Sequence, residues 1–175
     1  MSDTLVTIIA IALAAILMFV FPLMTMSDRT DDVSQLTVET ATTEFVDEVR
    51  TTGKITSDKY SQFLEAIGST GNTYDVEIEA KILDENPGKK TTQTENTKIG
   101  ENVYYSVYTS QIEEKLKPEN GGVYKLKEGD IVSVSVKNTN QTLSQQLKNF
   151  FYTVIGNDTY TIAASHGGIV SVTGK

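Results

Sequence analysis

Cysteine is absent from this chain, histidine occurs once (His166), and proline only three times in 175 residues. Without cysteine there are no disulfides, no thiolate metal sites and no Cys nucleophile. One histidine excludes a His-rich metal cluster and makes a Ser-His-Asp triad a poor expectation. Basic residues are also scarce, 15 against 23 acids, for a net charge of −8. A nucleic-acid footprint needs clustered Lys and Arg, and docking on anionic lipid needs a basic face; neither is present. No G-x-S-x-G, P-loop or dinucleotide fingerprint occurs. The residues thus point to no enzyme, no cofactor, no metal site and no nucleic-acid partner.

Charge is missing altogether from one stretch. Thr4–Ser27 reads TLVTIIAIALAAILMFVFPLMTMS, 24 residues without a charged side chain. As a helix it measures about 36 Å, enough to cross a hydrocarbon core of about 30 Å with some tilt. The run is too long for a signal-peptide core, its leading residues Met1-Ser2-Asp3 are not basic, and no A-x-A-like site follows. What remains of the chain is too small to bury a helix that is apolar on all sides. The expectation is one transmembrane helix over 1–27. Ala10, Ala12, Ala14 and Ala15 are the small residues that let such helices approach one another, and Pro22 is placed to kink the helix near its end. Only Asp3 precedes the span, so the remainder carries 22 acids and 15 bases. Arg29 stands among Asp28, Asp31 and Asp32, which gives the positive-inside rule little to act on, and long domains translocate largely regardless of charge. A Thr-, Ser- and Asn-rich, Cys-free domain fits export, so the reading is a single-pass membrane protein with its C-terminal domain outside the cell.

Beyond the span, residues 28–53 predict an amphipathic helix. Val38, Ala41, Phe45 and Val49 recur at helical spacing, Asp28, Asp31 and Asp32 suit a first turn, and Gly53 is a stop signal. Span and helix run as one rod or break near residue 28. Residues 54–175 predict an α+β domain of antiparallel strands packed on helices. Thr56-Ser57-Asp58 caps a second helix with Tyr60, Phe63, Leu64 and Ile67 as its core face and Gly68 as its end. Tyr74, Val76, Ile78, Ala80 and Ile82 then alternate with Asp75, Glu77, Glu79 and Lys81, a strand with one buried and one wet face. The carboxylates at 75, 77 and 79 share that wet face; a cation site is one reading, a solvated surface the simpler one. The run 84–102 is polar and predicts an exposed, mobile loop.

Val103–Ser110 predicts a strand passing into a short helix that ends before Pro118. Val123–Leu126 is a short strand, Lys127-Glu128-Gly129-Asp130 a hairpin connection, and Val132, Val134 and Val136 the next strand. Thr142 and Gln145 form a capping box opening a helix with Leu143, Leu147, Phe150, Phe151 and Val154 on its apolar face and Gly156 at its end. Tyr160, Ile162 and Ala164 predict a strand, with His166 in a turn, Gly167-Gly168 as a break and Ile169–Val172 as a last strand.

An apolar N-terminal helix running into an amphipathic one, followed by a small sheet domain, resembles the type IV pilin-like subunits. The closer resemblance is to TadE-like minor pilins of tight-adherence systems. It is carried by the anchor, by Phe45–Thr56 (FVDEVRTTGKIT), by Gly129–Val136 (GDIVSVSV), by Phe150-Phe151 and by Tyr160–Ser165 (YTIAAS). Such pilins keep a glutamate inside the apolar helix that helps to pair subunits; here no Glu precedes Glu39. The resemblance therefore implies a minor or anchored subunit. Its partners would be membrane lipid and other pilin-like subunits or envelope platform proteins. The competing reading from the residues is a lone membrane-tethered extracellular domain that binds a ligand or a partner.

Overall fold

The computed structural model describes residues 2–84, 104–152 and 161–175, with the side chains of residues 2, 147, 148 and 150–152 excepted. The chain begins with a helical rod. α1 (Ser2–Ala15) passes through a π-helical turn (Ile16–Val20) into α2 (Phe21–Thr52) with no break near residue 28. The two polar residues inside the apolar run cost little, because Thr7 and Thr25 donate to the carbonyls of Asp3 and Phe21, one turn back (2.7 and 3.1 Å). α2 stops where expected. Gly53 takes a left-handed conformation (φ 68°) and its N–H closes on the Val49 carbonyl at 2.8 Å. A Cβ at Gly53 would run into the backbone of Val172 and Gly174, so glycine is needed here both for its φ and for the close approach of the C-terminal tail.

The fold is α+β. Among the described residues, β1 (Lys54–Thr56) is followed by α3 (Ser57–Gly68), β2 (Tyr74–Leu83), β3 (Tyr104–Tyr108), α4 (Thr109–Leu116), a 3₁₀ turn at Pro118–Asn120, β4 (Val123–Lys125), β5 (Ile131–Asn138), α5 (Leu143–Tyr152) and β6 (Ala163–Ile169). The main sheet is antiparallel in the order β3-β2-β5-β6, and β1 and β4 pair separately as a two-stranded ribbon. α2 lies across the main sheet. Its Val38, Phe45, Val46 and Val49 share one core with Ile78 of β2 and Val132, Val134 and Val136 of β5, all 5% exposed or less. Each such side chain contributes roughly 1.5–3 kcal/mol by leaving water. The alternation in β2 sets which face this is: Ile78 and Ala80 are buried while Asp75, Glu77 and Lys81 stay exposed.

Four expectations need correction. Leu64, grouped with the core face of α3, is 39% exposed; Tyr60, Phe63 and Ile67 alone are buried there. The connection 127–130 does not close a hairpin, because β4 pairs with β1 and β5 with β2 and β6. Its turn is held by the buried Asp130, whose carboxylate accepts from the N–H of Lys127 (2.7 Å) and of Leu83 (3.0 Å). Gly167-Gly168 does not break the last strand. β6 runs through both glycines and through His166, which is therefore in a strand and not a turn. The glycines fit because the neighbouring strand β5 and α2 crowd them: a Cβ on Gly167 would sit 3.0 Å from the Val132 carbonyl oxygen and 3.2 Å from the Ser133 Cβ, and one on Gly168 would sit 2.5 Å from Arg50 Nε. Finally, Leu143, placed on the apolar face of α5, is 56% exposed. The loop expected over 84–102 lies, beyond Asp84, outside the described residues, as do the side chains of Leu147, Phe150 and Phe151, residues Val154 and Tyr160, and the helix end at Gly156.

Candidate functional site

Two surfaces stand out once the fold is laid down: the bare apolar half of the rod and a groove along β2. From Asp3 to Phe19 every residue of the rod is exposed, and this is the one helix among the described residues long and apolar enough to cross a membrane. A surface of Leu, Ile, Val, Met and Phe on all sides far exceeds the apolar patches soluble monomers leave uncovered. Ala10, Ala12, Ala14 and Ala15 all lie in the regular α-helical part. At about 100° per residue they do not gather on one seam: Ala10 and Ala14 share one face, while Ala12 and Ala15 share another on nearly the opposite side.

Pro22 is the second residue of α2. The rod continues through it, and the irregularity falls just before it, as the π turn Ile16–Val20. Proline offers no N–H to the carbonyl four residues back and its ring presses on that turn. A wider turn carrying one extra residue relieves both and keeps the helix going.

The rod meets the domain through polar contacts as well as the apolar core, one of them buried. Thr142, the N-cap of α5, completes the expected capping box: its N–H donates to Gln145 Oε1 (3.0 Å) and its hydroxyl accepts from the Gln145 N–H (3.3 Å). The same hydroxyl donates to Oδ2 of the buried Asp31 at 2.7 Å, and Ser144 donates to Asp28. Higher up, the Gln35 amide bonds both ways with the backbone of Ala163 in β6 (2.7 and 3.0 Å). Arg50 reaches the Ile169 carbonyl at 3.1 Å and pairs with Asp47 at 2.7 Å, and His166 faces the same Asp47 at 3.5 Å. Rod and sheet are thereby fastened at both ends and in the middle. Sequence reasoning placed Asp28 and Asp31 as first-turn acids and missed this role; the only signal was two acids three residues apart before an amphipathic run.

The groove, of about 740 Å³, runs between α3, the start of α4 and the first half of β2. Tyr60, Leu64, Tyr74, Val76 and Tyr108 give it apolar walls, and Asp75, Glu77, Glu79 and Glu113 an acidic rim. Tyr60 donates to Glu113 Oε1 at 2.7 Å; its burial, and then that bond, raise the pKa of its phenol. Glu79 accepts from Ser106 Oγ at 2.7 Å and lies 3.8 Å from Lys81 Nζ. That is the behaviour of a solvated strand face, and among the described residues no group of three acids or histidines is arranged to hold a metal ion. No family model, no curated protein and no solved structure matches this chain.

Proposed function

We propose that the chain is a structural, membrane-anchored, pilin-like subunit of a cell-surface filament or secretion apparatus, non-catalytic, with its domain carried outside the cell. The observation that supports this most is the single helix Ser2–Thr52, apolar and bare over its first half and the spine of the domain core over its second. In water the bare half has no tolerable state, so lipid and neighbouring helices are its natural surroundings. Lipid tails give no hydrophobic drive for helices to associate, and close packing at small residues supplies it instead. Two alanine faces on opposite sides of one helix suit a subunit with a neighbour on each side.

The test separates anchoring from assembly. Ala10→Leu with Ala14→Leu, and Ala12→Leu with Ala15→Leu, add apolar area and leave insertion intact. Each pair should weaken crosslinking to envelope partners in membranes at matched abundance. Unchanged crosslinking in both would remove the assembly role. The second reading, a single-pass tethered domain that binds a ligand or partner, is favoured by one observation, the groove beside β2.

A further inference from the structure

β2 is paired along nearly its whole length on one side and along half of it on the other. Its β5 side runs from Tyr74 opposite Asn138 to Lys81 opposite Ile131. Its β3 side begins at Glu79 opposite Tyr108 and ends at Leu83 opposite Tyr104. Among the described residues no strand lies against Tyr74–Ile78 on that second side. β3 ends there because the chain turns into α4 at Thr109, whose hydroxyl accepts the Ile78 N–H at 2.7 Å. Strand amides alternate in direction, so the N–H groups of Tyr74 and Val76 point the same way, into the groove. An edge of this kind is a template for another strand unless Lys, Pro or a bulge blunts it. This one carries no Lys, Pro or bulge; it is short, bears Asp75 and Glu77, and is closed by Thr109 only at its Ile78 end.

The charges select the occupant. Among the described residues Asp75, Glu77, Glu79 and Glu113 line the groove and no Lys or Arg does. Two bases on the sheet face acids: Lys81 lies by Glu79, and Lys137 stands opposite Asp75 on β5. Two copies of this chain placed edge to edge would oppose acid to acid, in a protein of net charge −8. We propose that an extended, basic segment of a different protein binds this groove as an added strand on the Tyr74–Val76 edge, up to where Thr109 closes it. Its backbone continues the sheet, its Lys or Arg side chains meet the acidic rim, and its alternate apolar side chains enter between Tyr60, Leu64 and Val76. The inference rests on the domain alone and is independent of whether the anchor meets lipid or sister subunits.

The experiment uses the full-length chain in detergent micelles and a labelled peptide of about six residues, the length of an ordinary strand, alternating Lys and Val. Saturable binding is expected. Glu77→Lys combined with Glu113→Lys, both on exposed side chains, should raise Kd about tenfold or more, the factor equivalent to about 1.4 kcal/mol. The same peptide with alternate backbone amides N-methylated keeps its charge and should lose affinity by at least that factor. Equal binding of the methylated peptide would overturn strand addition. Equal binding by the charge-reversed chain, or of a Glu-Val peptide, would overturn the site. Self-association of the chain that the charge reversal changes would assign the edge to a second copy and overturn the partner.

Discussion

Phe63 is 4% exposed and its ring stacks on Phe45 at a centroid distance of 4.6 Å, whereas Leu64, next to it in α3, is 39% exposed at the wall of the groove. Phe63→Ala should therefore cost about 3–5 kcal/mol of domain stability. Leu64→Ala should cost about 1 kcal/mol or less. Denaturant unfolding of both variants checks this, and equal losses would return Leu64 to the core. A second residue-scale expectation concerns Tyr124, whose phenol is pushed up to about 12, first by burial and then by the neighbouring Tyr105 and Asp130. The sign follows from proton counting. Above the ordinary tyrosine value near 10 the unfolded chain releases this proton while the folded one keeps it, so stability is intact below that pH and falls as the pH rises toward 12. Tyr124→Phe should flatten part of that fall in unfolding midpoints measured across the range. The 3, 4 and 7 spacing of Tyr60, Phe63, Leu64 and Ile67 shows that they share a helix stripe, but the stripe is wider than what α2 covers. The residue at its margin cannot be identified from spacing alone.

Secondary-structure elements were legible in proportion to how much of their pattern is local. β2 announces itself through nine alternating residues and α5 through the Thr142–Gln145 box, and both form as expected. β1 and β4 are three residues each, and their partners, such as Ile55 and Tyr124, lie far apart in sequence. β4 was legible as the short strand Val123–Leu126, but β1 was not, and nothing local shows that the two pair. The glycines in β6 misled for a related reason: their lack of side chains answers to Ser133 and Arg50, which only the tertiary fold brings near. The N-terminus of α5 offers the prediction at this scale. Thr142→Val keeps the shape and deletes a hydroxyl that caps α5 and donates to buried Asp31. The cap is worth roughly 0.5–2 kcal/mol, and the lost donor to a buried carboxylate roughly 1–3 kcal/mol. Thr142→Ser should retain most of both. Hydrogen exchange should show α5 amides opening first in the Val variant, while protection unchanged in α5 would refute the coupling of cap and rod.

Taken as a whole, the molecule is a shaft with a domain wrapped on its outer half. The apolar run Thr4–Ser27 and the stripe Val38–Val49 made both halves readable, but not their junction. Continuity through Pro22 depends on a π turn, and the lock depends on Asp28 and Asp31 meeting α5. The foot of the domain has a further consequence. Asn72 and Asn140 line a common cavity with Leu23, Met26 and Ser27, and β2 begins two residues after Asn72. The open edge of β2 thus starts at the level where the uncharged run ends. Asp31, fastened to the same foot, lies four residues past Ser27, a rise of about 6 Å. An extended chain covers that distance in about two residues. If Thr4–Ser27 lies in a bilayer and a partner of the groove is rooted there too, that partner needs almost no tether. The stretch of chain that emerges directly beside its own membrane helix is within reach, whereas a basic segment far from the bilayer would have to fold back to the foot of the domain.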